Sequence, residues 1–445
     1  MFDTTFTQSG VSDHYHSLST LSYQGEKGAT LVTANDVFFQ RKQAAAVLKH
    51  GVLMRYPPVF ATMTGSTSDG GRVVYLDGYA GPGRYEPEGD EAVGAPGSPL
   101  LAVRSATTIA KWSRDLHCIF VERKPQYAEN LRQVLADEAG ADLNYDVLDG
   151  DVQDRLDEAL EIAGQSPLLA FLDPFGTALP YEMMTRQLMG RDSALKTEVL
   201  LNLNLEMVWR IGGLITGQEK DSEQTTSGNS ATLERIDAFL GGDWWRDTFT
   251  AARESGEPGS AARAAQTVAT EFRRRVLAAT GFKSFSVPIR RRPHHPPLFL
   301  LILFFRHQAA PYQFNEAASG ANAEWREHFR KIDLSEDLAR RRREEPPDLF
   351  GEDLIISITE QEARDIEAEL ENGWVTTIAS NIRNMLDQTS SLRIEESFAD
   401  IYGATLGLAR EKHLRRAWDQ LHDTGFVHRR DTTQKIRRQT IRRRD

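Results

Sequence analysis

A chain of 445 residues with 40% hydrophobic residues has material for a large core and exceeds one ordinary domain, so two domains are expected. No run of about eighteen apolar residues occurs, which excludes a hydrophobic membrane-spanning helix. The single cysteine, Cys118, forms no internal disulfide and supplies no iron–sulfur or zinc–cysteine site alone; together with a polar start that lacks a basic leader segment, it points to a cytoplasmic protein. The net charge of −11 is uneven. From Arg410 onward basic residues outnumber acidic ones by seven, which leaves the first 409 residues at −18.

Residues 1–34 have little periodicity and read as an irregular lead-in. Helical spacing of Val37, Ala44, Ala45, Leu48 and Val52 predicts a helix over 36–53, stopped by Tyr56-Pro57-Pro58. Strand and helix signals then alternate. Strands are predicted at 73–77 and 117–121, with a third ending within 148–152, and at 168–172 and 199–203. Helices are predicted at 100–110 and 125–135. Two apolar runs, 285–290 and 297–305, flank a Pro/His/Arg turn and predict a closing antiparallel hairpin. Five strands alternating with helices imply an α/β, Rossmann-like fold with a mostly parallel sheet covered on both faces.

Residues 211–231 are rich in Gly, Ser, Thr and Glu and read as a variable loop within a domain spanning 35–343. Pro346 and Pro347 mark 344–353 as a linker. The remainder, 354–445, is expected to be helical. Its end runs from a helix at 411–421 through Gly425, the short run Phe426-Val427 and a polar turn to basic residues 435–444. That is the outline of a winged helix. A basic terminus on an acidic body suits nucleic-acid contact, and a solvated helix with a tail accounts for it equally well.

The chemistry sits at strand ends. Asp77-Gly78-Tyr79-Ala80-Gly81-Pro82-Gly83 follows the first strand. Glycines there allow close backbone approach to a ligand, and Asp77 can hold an amino group by a charge-assisted bond. Alone, such a turn is an ordinary loop. Glu122 ends the second strand, where a carboxylate can accept ribose hydroxyls. Asp151 and Val152 follow the third, suited to an adenine amino group beside an apolar surface; Asp149 is the alternative. Phe171-Leu172-Asp173-Pro174-Phe175-Gly176 ends the fourth. An amine whose lone pair is delocalised into a ring needs acceptors for its N–H groups. Asp173 and the Pro174 carbonyl offer them, and Phe175 offers a stacking face. These features together point to S-adenosylmethionine as cofactor and to methyl transfer onto an exocyclic amine. His294, His295 and His307 lack a nearby acidic partner, so no metal is expected.

These residues carry a resemblance. The loop 77–85, Gly97-Ser98-Pro99-Leu100 and Leu172-Asp173-Pro174-Phe175-Gly176 resemble the three-Cys-motif partner proteins (TcmP), over roughly residues 35–310. The resemblance implies a class I methyltransferase-like sheet, of which a closing antiparallel hairpin is a variation, and a two-component system. The second component would be a protein bearing a three-cysteine motif and any cluster ligands. The Asp-Pro-Phe-Gly run also looks like that of tRNA guanine N2-dimethyltransferases, and the Asp-x-x-x-Gly-x-Gly loop resembles that of amino-group DNA methyltransferases. Tyr79 stands where the commoner loop has its first glycine. The expectation is an N-methyltransferase acting on a nucleobase in DNA, RNA or a modified nucleotide. A non-catalytic partner module and a small-molecule methyltransferase are the alternatives.

Overall fold

The computed structural model describes residues 44–87, 93–139, 143–174, 179–215, 226–253, 259–344 and 351–444. The expected lead-in, Phe175 and Gly176 lie outside them. Strands β1 (Arg72–Asp77), β2 (Asp115–Glu122), β3 (Tyr145–Asp149), β4 (Leu168–Leu172), β5 (Thr197–Asn204), β6 (Lys283–Ile289) and β7 (Phe299–Phe305) form one sheet, ordered β3-β2-β1-β4-β5-β7-β6. Pairing is parallel from β3 to β5; β7 alone runs against the rest. This is a mixed α/β fold compatible with a Rossmann-like plan.

Strand side chains alternate between faces, and both faces are covered. Val73, Tyr75, Cys118, Phe120, Leu169 and Phe171 face one core, where α1 (Ala44–Thr64), α2 (Ser98–Ala110) and α3 (Pro125–Glu138) pack. Val74, Leu76, Ile119, Val121, Ala170 and Leu172 face the other. That side is closed by α4 (Val152–Ala163), α5 (Leu205–Ile215), α6 (Thr226–Leu240), α7 (Trp244–Arg253) and α8 (Ser260–Thr280). Double burial explains why these strands read as near-continuous apolar runs.

Three expectations are corrected, and the end of β3 is fixed. Helix α1 does not stop at Pro57-Pro58; both prolines lie inside it. Interior proline forfeits a backbone hydrogen bond and costs about 3 kcal/mol. Tyr56, Phe60 and Ala61 are completely buried, and burial of a large apolar side chain returns roughly 1.5–3 kcal/mol each. Strand β3 ends at Asp149, within the expected 148–152. Gly150, at φ +138°, breaks it, and Asp151 caps α4 by accepting from the Gln153 N–H at 3.1 Å. The expected loop 211–231 is helical in its described parts, α5 to Ile215 and α6 from Thr226; 216–225 lie outside the described residues. The ends of the expected linker are helical too, because α9 (Ala309–Glu344) reaches Glu344 and α10 (Gly351–Leu386) includes 351–353.

Beyond α9 a third core gathers Val375, Ile378, Leu392, Phe398, Leu414, Trp418, Val427 and Ile441. It joins α10 to β8 (Ser391–Arg393), α11 (Phe398–Tyr402), α12 (Glu411–Asp423) and β9 (Thr440–Arg442). Strands β8 and β9 pair antiparallel, and Val427 bridges Arg443. Gly425, at φ +76°, ends α12 as expected. Buried amides fix this unit to α9: Asn315 donates to the Ala409 carbonyl at 2.8 Å and accepts from Gly407 N–H at 2.7 Å, while Asn322 donates to the Gly407 carbonyl. No described helix is long and apolar enough to cross a membrane.

Candidate cofactor and acceptor site

The sheet reverses its winding direction between β1 and β4, which is where ligands bind in open α/β sheets. Asp77 ends β1 and Asp173 follows β4. Asp77 pairs in register with Phe171, and Leu172 with Leu201 of β5. Strand alternation therefore sends Asp77, Asp173 and Asn202 to one face, the face covered by α1. Helix α1 brings Lys49 there. Its ammonium forms an ion pair with Asp173 Oδ2, and Asn202 Nδ2 donates to Asp173 Oδ1 at 2.6 Å. One step deeper, the Tyr56 hydroxyl donates to Glu198 Oε2 at 2.7 Å.

Asp77 is completely buried. Burial pushes its carboxyl up to about 7, against the opposing hydrogen bonds from Ser98 and the Tyr79 N–H. Its Oδ1 accepts from Tyr79 N–H at 3.1 Å, whereas its buried Oδ2 has no hydrogen-bond partner. An orphaned buried carboxylate oxygen is costly unless a ligand completes it. Burial opposes the Lys49 ammonium, but the adjacent Asp173 overrides this and holds its pKa above the ordinary value.

Several backbone N–H groups of the glycine loop are turned onto the protein itself. Gly78 N–H donates to Phe171 O (3.0 Å), Ala80 N–H to Val121 O (2.9 Å) and Gly81 N–H to Glu122 Oε2 (2.8 Å). Those donors are consumed. The loop instead offers bare backbone. A Cβ on Gly78 would lie 2.9 Å from Leu172 Cδ2 and 3.1 Å from Val152 Cγ2, so a side chain there would crowd both. Gly81 and Gly83 adopt φ of +70° and +87°, which glycine takes without strain.

Glu122 accepts from Gly81 N–H and, at 2.7 Å, from Lys124 N–H, so in this structure it holds the loop in place. A carboxylate has about four lone-pair positions, which leaves capacity for hydroxyl donors. The two aspartates after β3 separate clearly. Asp149 is tied to Arg132 Nη2 at 2.7 Å. Asp151 sits close enough to Tyr79 to help hold its phenol above the usual range, an effect led by burial. Asp151 is thus the one grouped with the loop, and Val152 abuts Gly78.

A cavity opens at this end of the sheet, lined by Lys49 and His50 from α1, Tyr79 and Tyr85 from the loop, Ser98 of α2, and Asp173. Tyr85 Oη lies 3.3 Å from His50 Nε2. The structure brings together Asp77, Gly78, Tyr79, Ala80, Gly81, Gly83, Glu122, Asp151, Val152, Asp173 and the buried Pro174. Sequence reasoning missed Lys49, Ser98 as a partner of Asp77, and Asn202. Asn202 had a legible signal, an amide inside the apolar run Leu200-Leu201-Asn202-Leu203. Among the described residues no group of His, Cys, Asp and Glu is arranged to hold a metal. Comparison of the chain with protein-family models and with curated proteins finds no match.

Proposed function

We propose that this chain is an S-adenosylmethionine-dependent methyltransferase of the class I kind, acting on an exocyclic amine of a nucleobase. The observation that carries the reading is the placement of two carboxylates at the carboxyl ends of adjacent strands β1 and β4: Asp173 lines the cavity, and Asp77 lies buried behind the cavity-lining Ser98 and Tyr79. The strand order, with only β7 reversed, supports it.

The residues present fit the cofactor. The orphaned Oδ2 of Asp77 would accept from its ammonium, bare Gly78 would admit its chain, Glu122 would take ribose hydroxyls, and Asp151 with Val152 would face the adenine. The cofactor supplies the methyl group as an already electrophilic sulfonium, so the protein's work is positioning, which is worth up to roughly 7–11 kcal/mol. Asp173, oriented by Lys49 and Asn202, retains lone pairs for an acceptor N–H. The Pro174 carbonyl would take the second N–H and Phe175 would stack on the base. A base within a duplex would have to flip out to reach them. By resemblance, the chain would work beside a protein bearing a three-cysteine motif.

The Lys49–Asp173 ion pair favours a second reading, a cofactor-binding module without transfer, because an internal cation already occupies the carboxylate. Calorimetry with S-adenosylmethionine and tritiated methyl transfer to DNA, tRNA and rRNA pools separate the two. Transfer by the wild type that is lost in Asp173→Ala with cofactor affinity kept supports the enzyme. Binding without transfer to any pool supports the module. Absence of binding sinks both.

A further inference from the structure

We propose that the antiparallel ribbon at the end of the chain, residues 428–444, is a docking surface for B-form duplex DNA that grips its phosphate backbone. The proposal rests on the nucleic-acid part of the function above and assigns it to one element.

The ribbon is built from the ends of 426–428 and β9. His428 N–H donates to Arg442 O, and Arg444 N–H to Phe426 O, both at 3.0 Å. Its tip is pre-shaped. Buried Gln439 accepts from Asp431 N–H at 2.9 Å and donates to Gln434 O at 3.0 Å. Asp431, the sole acidic residue in 428–444, is turned onto Thr433 and Gln434. Eight Lys and Arg residues occupy the same stretch. Arg430, Arg437 and Arg443 pair with Asp419, Glu395 and Asp387. Arg429, Lys435, Arg438 and Arg442 are exposed and have no acidic partner among the described residues.

Helix α12 contrasts with this. It is the helix a winged-helix outline would place in a groove, yet its cations are spent: Lys412 and Arg416 on Glu371, and Arg415 on Glu411. Unspent positive charge in this C-terminal unit is therefore concentrated on the ribbon, while the first 409 residues carry a net −18. Such segregation selects a polyanion that docks on the ribbon. The ribbon's large apolar residues, Ile436 and Ile441, are buried, so nothing on it would insert into a lipid surface. The major groove of B-form DNA admits a two-stranded ribbon, whereas that of A-form RNA is too deep and narrow.

The test is fluorescence anisotropy on the full chain, without cofactor, using a labelled 20-base-pair DNA duplex between about 50 and 200 mM salt. The variant Arg429→Ala/Lys435→Ala/Arg438→Ala/Arg442→Ala should lose at least about 30-fold in affinity, and its log–log salt slope should shrink by about 3–4. Arg415→Ala should change affinity by less than about twofold. Among the described residues the side chains of these cations hold no ion pair, so the melting temperature should be unchanged. Equal binding by wild type and quadruple variant overturns the proposal. So does tighter binding of an RNA duplex or an acidic peptide, or no binding of DNA at the lowest salt. Because cofactor is omitted, failure here leaves the methyltransferase reading standing, and the converse holds.

Discussion

Two polar contacts tie helix α1 to the same face of the sheet, and they differ in what burial does to them. At the floor, Tyr56 meets Glu198; at the mouth, seven residues earlier on α1, Lys49 meets Asp173 with Asn202 alongside. Glu198 and Asn202 lie four residues apart on β5 and so share a face. The floor pair is sealed, and burial pushes the Glu198 carboxyl up to about 7, so it sits near neutrality as a hydrogen-bonded acid. At the mouth the partner is a cation, the Asp173 side chain keeps 17% of its exposure, and the pair lines the cavity. The Lys49–Asp173 contact is an ion pair that faces the cavity, whereas the Tyr56–Glu198 contact is a hydrogen-bonded acid sealed away from it.

Breaking the mouth pair should have the largest effect. Lys49→Met leaves a mostly buried carboxylate without its cation, which costs about 3–5 kcal/mol. Urea denaturation should show that loss, and Lys49→Met/Asp173→Leu should recover most of it, because replacing both partners by apolar groups removes the stranded charge. A loss below about 1 kcal/mol in Lys49→Met would put the pair with ordinary surface contacts and erase the distinction from the floor.

The floor makes a prediction of comparable size and opposite character. The folded-state pKa of Glu198, about 7, lies above its ordinary 4.5. Between those values the native chain keeps a proton that the unfolded chain releases, so stability falls as pH rises through the window, by about 3 kcal/mol in total. Asp77 contributes in the same direction over its own window, from 3.8 to about 7. Glu198→Gln keeps an acceptor for the Tyr56 hydroxyl but cannot ionise. Its stability between pH 5 and 8 should therefore fall by roughly half as much as that of the wild type. An unchanged slope would mean that Glu198 is not the floor acid described.

The same contrast explains what the sequence could and could not disclose. Strands buried on both faces announce themselves, and 168–172 matched to the residue. Carboxylates that end strands announce themselves too, which is why Asp77, Glu122 and Asp173 were legible. Lys49 was not. A lysine in a helical pattern reads as solvent-facing, and its partner lies 124 residues away; only the fold makes it a wall of the cavity. The prolines of α1 misled for a related reason. Their cost is local and visible, whereas the burial of Tyr56 and Phe60 that offsets it is tertiary. Asp149 and Asp151 are equivalent as letters, and a glycine at φ +138° between them decides which one meets the loop.

The smallest expected effect is the sharpest discriminator between mouth and floor, because it reads ligand binding and not folding. Asp77 has a folded-state pKa of about 7 and an unpartnered oxygen. If it receives the ammonium of the cofactor, only its ionised form binds well. Affinity for S-adenosylmethionine should then drop by up to about tenfold for each pH unit below 7, roughly 1.4 kcal/mol, and level off above. Calorimetry from pH 5.5 to 8.5 should show that bend in the wild type. Asp77→Asn should bind more weakly with the bend removed. Glu198→Gln should keep it, although that variant loses the floor's share of the pH-dependent stability. A bend that persisted in Asp77→Asn and vanished in Glu198→Gln would reverse the assignment of the two regions. It would make the buried acid under α1, not the carboxylate at the mouth, the group that senses the ligand.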